Sequence, residues 1–136
     1  MKIKLISCVA ALMLACVSCN HKATPPLQMI QKANECVDNT RKQLPLNMGD
    51  GLKLTQLIYD SQTYTLLYKY QYTIPIEKPT VEKIKEAKQS VVYLLKANPS
   101  SDDMEMVKSG ISFHFTYYSE DNTFLYDILI TADDIK

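Results

Sequence analysis

The clearest structural signal in this chain is the run Tyr64-Thr65-Leu66-Leu67-Tyr68-Lys69-Tyr70-Gln71-Tyr72-Thr73-Ile74. Side chains along it alternate between two faces, and one face carries Tyr64, Leu66, Tyr68, Tyr70, Tyr72 and Ile74. Alternation with a period of two predicts a β-strand. The run from Leu52 to Tyr59 precedes it, and the turn-forming residues Asp60-Ser61-Gln62 join the two runs. We therefore expect a β-hairpin.

Helices are predicted on both sides of this hairpin. From Leu27 to about Leu44, apolar residues recur at helical spacing, and Pro45 ends the pattern. A second helical stripe runs from about Thr80 to Ala97, and Asn98-Pro99 ends it. The segment Asn47 to Gly51, between the first helix and the hairpin, is predicted to be a turn.

A short third helix and a second hairpin follow. Ser100 and Asp103 have capping-box spacing, and Gly110 suits the position after the helix. The runs Ile111 to Tyr118 and Phe124 to Thr131, joined by a polar turn, predict the second hairpin. We therefore expect an α+β fold of two helix-hairpin units, a four-stranded antiparallel sheet with two long helices on one face.

The N-terminal segment has the pattern of an export signal. Lys2 and Lys4 precede an uncharged, largely apolar run over residues 5–18, and Cys19 follows small residues. This resembles a bacterial lipoprotein signal peptide, in which the cysteine is lipidated and becomes the new N-terminus. We expect residues 1–18 to be the signal peptide, residues 19–26 a tether containing Pro25-Pro26, and residues 27–136 a single α+β domain.

Three cysteines compete as the lipidation site. Cys8 leaves no hydrophobic segment before the cut, and Cys16 has a bulky residue at position −2. Cys19 has Ser at −1 and Val at −2, although Cys stands at −3 where the usual pattern has Leu. We predict lipidation at Cys19, with Cys16 as the alternative. Cys36 would then be the remaining free thiol, so no intrachain disulfide is expected.

Two other interpretations of this segment stay open. An ordinary secretory signal cleaved near Ala15 or Ser18 would release a protein with an exposed thiol. A transmembrane anchor is less favoured because the uncharged stretch is short and interrupted by Ser and Cys.

Charge and motif content exclude several classes of function. Cleavage before Cys19 leaves 13 basic against 15 acidic residues, a net charge of −2, without a basic stripe. That argues against nucleic acid or anionic lipid headgroups as partners. Three glycines cannot form a phosphate-binding loop, and no GxSxG, HExxH, CxxC or EF-hand spacing occurs. We therefore expect no catalytic residues, no metal and no cofactor.

Individual residues with reactive side chains have simpler interpretations. His114 is predicted on the solvated face of a strand, and Cys36 as a buried, inert thiol at the edge of the first helical stripe. A nucleophilic Cys36–His114 pair is a weak hypothesis because Glu35 and Asp38 oppose thiolate formation. His21 lies in the tether.

Two acidic groups are likewise predicted to be structural. Asp102-Asp103 with Glu105 fall in the first turn of the third helix, where acids complement the helix dipole. Asp133-Asp134 near the C-terminus are predicted to be solvated.

The row Tyr64, Tyr68, Tyr70 and Tyr72 is the one unusual constellation. Facing the helices, it would be a core of amphipathic rings with hydroxyls at the rim. Facing solvent, it would be a platform for a peptide, a glycan or a protein partner. The core interpretation is favoured because Leu66 and Ile74 share this face.

A series of hydrophobic and turn motifs runs through the chain in order. They are Leu44-Pro45, Leu52-x-Leu54, Tyr68–Tyr72, Asn98-Pro99, Gly110-Ile111-Ser112-Phe113, Tyr117-Tyr118 and Thr131-Ala132-Asp133-Asp134. Through these motifs, residues 44–134 resemble a small module that is found in many bacterial envelope proteins. The function of that module is not established. The resemblance implies an α-β-β-α-β-β order and an envelope location. The module often carries a cysteine near the end of its second helix and another at the chain's end. Lys96-Ala97 and Ile135 stand there, so that disulfide is not expected.

These features together predict a lipoprotein of the cell envelope. The Cys-rich signal resembles those of gut Bacteroidota. Asn20, after Cys19, is not the acidic residue associated with inner-membrane retention, and no acidic cluster of the surface-export kind follows. We expect a non-catalytic protein, lipid-anchored to the periplasmic face of the outer membrane, that binds an envelope protein or glycan. A periplasmic inhibitor or immunity protein that blocks a hydrolase or toxin is the alternative, and an enzyme is least favoured.

Overall fold

The computed structural model describes residues 23–136 as a layer of helices packed on a five-stranded sheet. The helices are α1 (Leu27–Arg41), α2 (Val81–Ala97) and α3 (Asp102–Lys108). The strands are β1 (Leu46–Gly49), β2 (Leu52–Asp60), β3 (Thr65–Tyr72), β4 (Ser112–Tyr118) and β5 (Phe124–Ile130), and a 3-10 turn follows (Ala132–Ile135). None of the helices in this described part is both long and apolar enough to span a bilayer.

The predicted four-stranded antiparallel sheet is wrong. The sheet is mixed, with strand order β1-β2-β3-β4-β5, and its β3–β4 pair is parallel, from Thr65 beside Ser112 to Gln71 beside Tyr118. The two hairpins are present, but residues 73–111 form a crossover through α2 and α3 that returns the chain to the end where β3 began. Two neighbouring parallel strands need a long crossover connection, which is usually helical, and residues 73–111 provide it.

The fifth strand, β1, occupies part of the segment predicted to be a turn. It pairs antiparallel with β2, and the reversal between them uses Gly49, Asp50 and Gly51, which all have positive φ. Such a backbone suits a tight connection between antiparallel strands. Residues 46–49 are too few for their alternation to have indicated a strand.

Helix α3 begins one residue later than predicted. Its N-cap is Ser101, not Ser100, and the Ser101 hydroxyl accepts a hydrogen bond from the Met104 N–H at 3.1 Å. Its end is as expected, because Gly110, with φ of +109°, donates to Val107 in a Schellman arrangement.

The core lies between the helices and one face of the sheet. α1 packs on β2, α2 on β5, and α3 on β4. Its largest fully buried side chains are Leu57, Leu66, Val107, Ile111 and Ile130. α1 and α2 both pack against α3 more closely than against each other. The central strands are therefore covered by helix at one end and left open between the long helices.

Candidate functional site: an aromatic groove between the long helices

A groove of about 370 Å³ lies where the long helices leave the central strands open. Tyr68 and Tyr70 of β3 and Phe113 and Phe115 of β4 form its floor, and Val91, Leu94 and Leu95 of α2 form a wall. Asn98, Ser101 and Asp103 line its end. We call this site the aromatic groove. It has apolar sides and a few polar groups, the usual composition of a binding site.

The parallel pairing of β3 and β4 sets the aromatic floor. Tyr68 lies beside Phe115, with ring centroids 4.9 Å apart, and Tyr70 stacks on Tyr117 at 5.1 Å. Tyr117 in turn stacks on Tyr126 of β5 at 4.4 Å. Rings packed in this way have little freedom to rearrange, so the floor is held in place before any partner binds.

The tyrosine row of β3 faces the helices, as favoured from the sequence, but it is not a closed core. Tyr68, Tyr70 and Tyr72 remain half-buried. Tyr64 is outside the row, because it precedes β3 with φ of +52°, and its hydroxyl contacts the Thr24 hydroxyl at 3.3 Å. The sequence pattern allowed the row to be either part of the core or an exposed binding surface. In the structure the rings face the helices and also remain partly exposed.

The tyrosine hydroxyl groups of the floor, and those of the neighbouring Tyr117 and Tyr126, stay neutral at physiological pH. Burial raises the pKa of Tyr68, Tyr70, Tyr117 and Tyr126 above the ordinary value for tyrosine. Each neutral hydroxyl can both donate and accept a hydrogen bond. The floor thus combines apolar ring surface with neutral hydrogen-bonding groups.

Asp103 adds one ionisable group to the groove. Partial burial raises the pKa of its carboxyl, and the neighbouring Asp102 raises it further. Asp102 pairs with Lys32 at 2.7 Å, whereas within residues 23–136 no cation lies within ion-pair distance of Asp103. A helix-dipole role was predicted for both acids, and periodicity alone could not show that Asp103 is directed into a groove.

Cys36 and His114 do not form a catalytic pair. Cys36 lies half-buried on α1, and burial raises the pKa of its thiol, which disfavours the nucleophilic thiolate. His114 lies on the opposite face of the sheet, where its Nε2 is 2.7 Å from Oδ2 of Asp127. The sheet separates the two side chains.

Other acidic residues have structural partners. Asp134, predicted to be solvated, accepts a hydrogen bond from the Thr131 N–H at 2.8 Å and pairs with Lys88 of α2 at 3.1 Å. It therefore ties the C-terminal 3-10 turn to α2. Asp133 pairs with Lys136 at 2.8 Å. Across residues 23–136, no three side chains of the metal-binding types come together as a site.

The predicted lipidation site, Cys19, and its alternative, Cys16, lie outside the described residues, as does His21. The described chain begins at Ala23. Pro25 is buried, and Pro26 caps the start of α1 by accepting the N–H groups of Met29 and Ile30 at 2.9 and 3.1 Å.

The domain family described as "Domain of unknown function (DUF8479)" matches residues 29–126. That range includes α1 from Met29 onward, all of α2 and every residue of the aromatic groove. No curated protein matches the chain.

Three solved structures share the fold. They are the type II secretion system pilotin AspS from Vibrio cholerae, the type 2 secretion system pilotin EpsS from Vibrio vulnificus, and a protein described as secreted from Pseudomonas aeruginosa. Their TM-scores are 0.56, 0.58 and 0.55, at 20%, 12% and 9% identity. The matches cover 79%, 80% and 80% of this chain and 92%, 93% and 94% of the neighbours. At such identities the likeness shows the fold alone. None of these sources supports the resemblance to gut Bacteroidota.

Proposed function

The chain belongs to the DUF8479 domain family, and we propose that it is a lipid-anchored envelope protein whose domain holds an apolar segment of a partner protein in the aromatic groove. The observation that carries the proposal is the groove itself, a floor of closely packed aromatic rings beside the aliphatic wall of α2. A preformed concave site with apolar walls and a few polar groups is the usual form of a binding site.

The walls of the groove favour a protein segment over a glycan. Val91, Leu94 and Leu95 form an aliphatic wall beside the rings, and Leu94 is 61% exposed. Aliphatic walls suit the branched side chains of a protein, whereas sugars need polar groups around a flat ring. Asp103 and the tyrosine hydroxyls would orient the segment by accepting its hydrogen bonds or pairing with a cation.

The fold neighbours support a role in an envelope assembly. Two of them are named as pilotins of type II secretion systems. From this likeness we infer a similar role for this chain. It would be an accessory component of a secretion system or another envelope assembly, and it would act by binding and not by catalysis. Lipidation at Cys19 would hold the domain at the periplasmic face of the outer membrane.

Palmitate labelling tests the anchor. Cys19→Ala should abolish incorporation of labelled palmitate in cells, and Cys16→Ala should leave it unchanged. If Cys16→Ala abolishes the label and Cys19→Ala does not, the anchor is at the alternative cysteine. If neither substitution affects labelling, the chain is not a lipoprotein of this kind.

Two neighbouring residues of α2 provide a matched test of the groove. Leu94→Asp places a charge in the groove wall, whereas Tyr93→Asp places the same charge one residue away, outside the groove lining. Both side chains are largely exposed, at 61% and 72%, so neither substitution should unfold the domain. Crosslinking in intact cells should lose the partner adduct in Leu94→Asp and keep it in Tyr93→Asp. Equal adducts in both variants would contradict binding through the groove.

A further inference from the structure

The chain enters its domain at one defined end of the sheet. The carbonyl of Ala23 lies so close to Gly110 that an added Cβ there would be 3.2 Å from its oxygen. The hydroxyl of Thr24 hydrogen-bonds to the hydroxyl of Tyr64, which lies just before β3, and Pro25 is buried. The same end carries the β2–β3 turn at residues 61–64 and the 3-10 turn Ala132–Ile135. We call it the tether end.

The tether end is concave. A cleft of about 590 Å³ begins at Ala23, and its lining includes Thr63, Lys108, Ser109, Asp133 and Lys136. The opposite end, which we call the far end, carries the β4–β5 turn at residues 119–123. Strand β4 separates the two ends by about 20 Å, at about 3.3 Å per residue.

We propose that the lipid anchor, without charge attraction to anionic headgroups, holds the tether end against the headgroup surface of the bilayer and that the far end points away from it. The proposal rests on lipidation at Cys19, as proposed above. Three residues separate Cys19 from Ala23, so an extended chain spans at most about 14 Å between them. That reach is shorter than the length of β4, and the packed residues 23–25 fix which end the short connection leaves from.

This orientation decides how the aromatic groove is reached. α3 lies between the long helices on the tether side, where Lys32 of α1 pairs with Asp102. The floor continues toward the far end through Tyr72, Tyr117 and Tyr126. A partner segment therefore approaches the groove from the side away from the membrane, and α3 stands between the groove and the bilayer.

Single cysteines at the two ends test the orientation. Lys108→Cys and Ser61→Cys place a thiol at the tether end, and Glu120→Cys places one at the far end. All three wild-type side chains are exposed and take part in no described ion pair. The full lipidated chain is reconstituted into phosphatidylethanolamine–phosphatidylglycerol vesicles and labelled with a bulky polyethylene-glycol maleimide. The wild-type chain, with its half-buried Cys36, gives the background rate.

A lengthened tether is the matched control. About twenty Gly and Ser residues inserted between Lys22 and Ala23 would add a flexible span of about 25 Å. With the native tether, Lys108→Cys and Ser61→Cys should label severalfold more slowly than with the lengthened one, and Glu120→Cys should label at the same rate in both. Equal shielding of both ends, or shielding of Glu120→Cys alone, would overturn the orientation.

Flotation of the vesicles separates the two proposals. If the wild-type chain does not float with the vesicles, the lipid anchor is wrong and the orientation falls with it. If the chain floats but both ends label alike, the anchor stands and the orientation is wrong.

Discussion

The hydroxyls of Tyr72 and Tyr126 lie 3.1 Å apart, although β4 separates their strands. The ring of Tyr117 lies between them, 6.4 Å from Tyr72 and 4.4 Å from Tyr126. One aromatic layer thus ties three adjacent strands together on the open part of the helix side. Because the rings of neighbouring strands hold one another in place, the floor can remain open to solvent without a helix packed on it.

Substitution of Tyr126 should separate ring packing from hydrogen bonding. Tyr126→Phe removes one half-buried hydrogen bond and should lower the free energy of unfolding by about 0.5–1 kcal/mol, because water can replace the partner of Tyr72. Tyr126→Ala also removes the stack on Tyr117 and should cost about 2–3 kcal/mol. Urea denaturation monitors both, and equal losses would show that the ring stack contributes nothing.

The contact between Gly110 and the entering chain should be visible as a difference between two glycines. Gly49→Ala and Gly110→Ala both place a side chain at positive φ, +86° and +109°, which costs about 1–2 kcal/mol. Only at Gly110 would the new Cβ also crowd the Ala23 carbonyl, since nothing lies within 4 Å of it at Gly49. We expect Gly110→Ala to have the lower urea midpoint. A lower midpoint for Gly49→Ala would contradict the packing of residues 23–25 at the tether end.

The Asp134–Lys88 pair should make stability depend on pH in the acid range. Burial opposes ionisation of Asp134, but the Thr131 N–H and the Lys88 ammonium outweigh it and hold the pKa of the carboxyl below its usual value. An acid with a lowered folded-state pKa stabilises the fold above its unfolded pKa, about 3.9, and this stabilisation is lost as the pH falls through the folded pKa.

Asp134→Asn should therefore cost about 1 kcal/mol of unfolding free energy at neutral pH and progressively less below about pH 4. Asp133→Asn is the control, since its carboxylate pairs with Lys136 at an 83% exposed position. Urea titrations across the acid range measure both. A cost for Asp134→Asn that does not change with pH would contradict the ionic role.

Alanine substitutions of two leucines, one in the core and one in the groove wall, should differ in their cost to the free energy of unfolding. Leu66 is fully buried, so Leu66→Ala should cost about 2–5 kcal/mol by leaving a cavity. Leu94 is 61% exposed in the groove wall, and Leu94→Ala should change the free energy of unfolding by less than about 0.5 kcal/mol. Thermal or urea unfolding compares them. A large loss for Leu94→Ala would mean that its side chain serves the fold and not a partner.

Local features of this fold could be predicted from the sequence because they depend on local periodicity and turn chemistry. The β2–β3 hairpin follows from the alternation around Tyr68, and the Gly110 helix end follows from the need for positive φ. The parallel pairing of β3 and β4 could not be predicted in this way. A strand has the same alternation in either direction, and only the path of the crossover through α2 and α3 fixes its direction.

The aromatic groove depends on the same long-range geometry. The tyrosine row of β3 was visible in the sequence, but its half-burial follows from α1 lying over β2 and α2 over β5. The position of Asp103 in the groove was not predicted for the same reason. The helix dipole alone accounts for an acid in the first turn of a helix, and only the structure shows which surface its side chain faces. The signal available in the sequence was the number of tyrosines on one face of β3.

Site-specific photo-crosslinking in intact cells can show directly whether a partner protein lies in the aromatic groove. A photoreactive phenylalanine analogue replaces Leu94 in the groove wall, and in a second strain it replaces Tyr93, one residue away and outside the groove. A discrete adduct with an envelope protein from position 94, absent from position 93, is the predicted result. Adducts of equal yield at both positions, or an adduct from position 93 alone, would contradict a partner held in the aromatic groove.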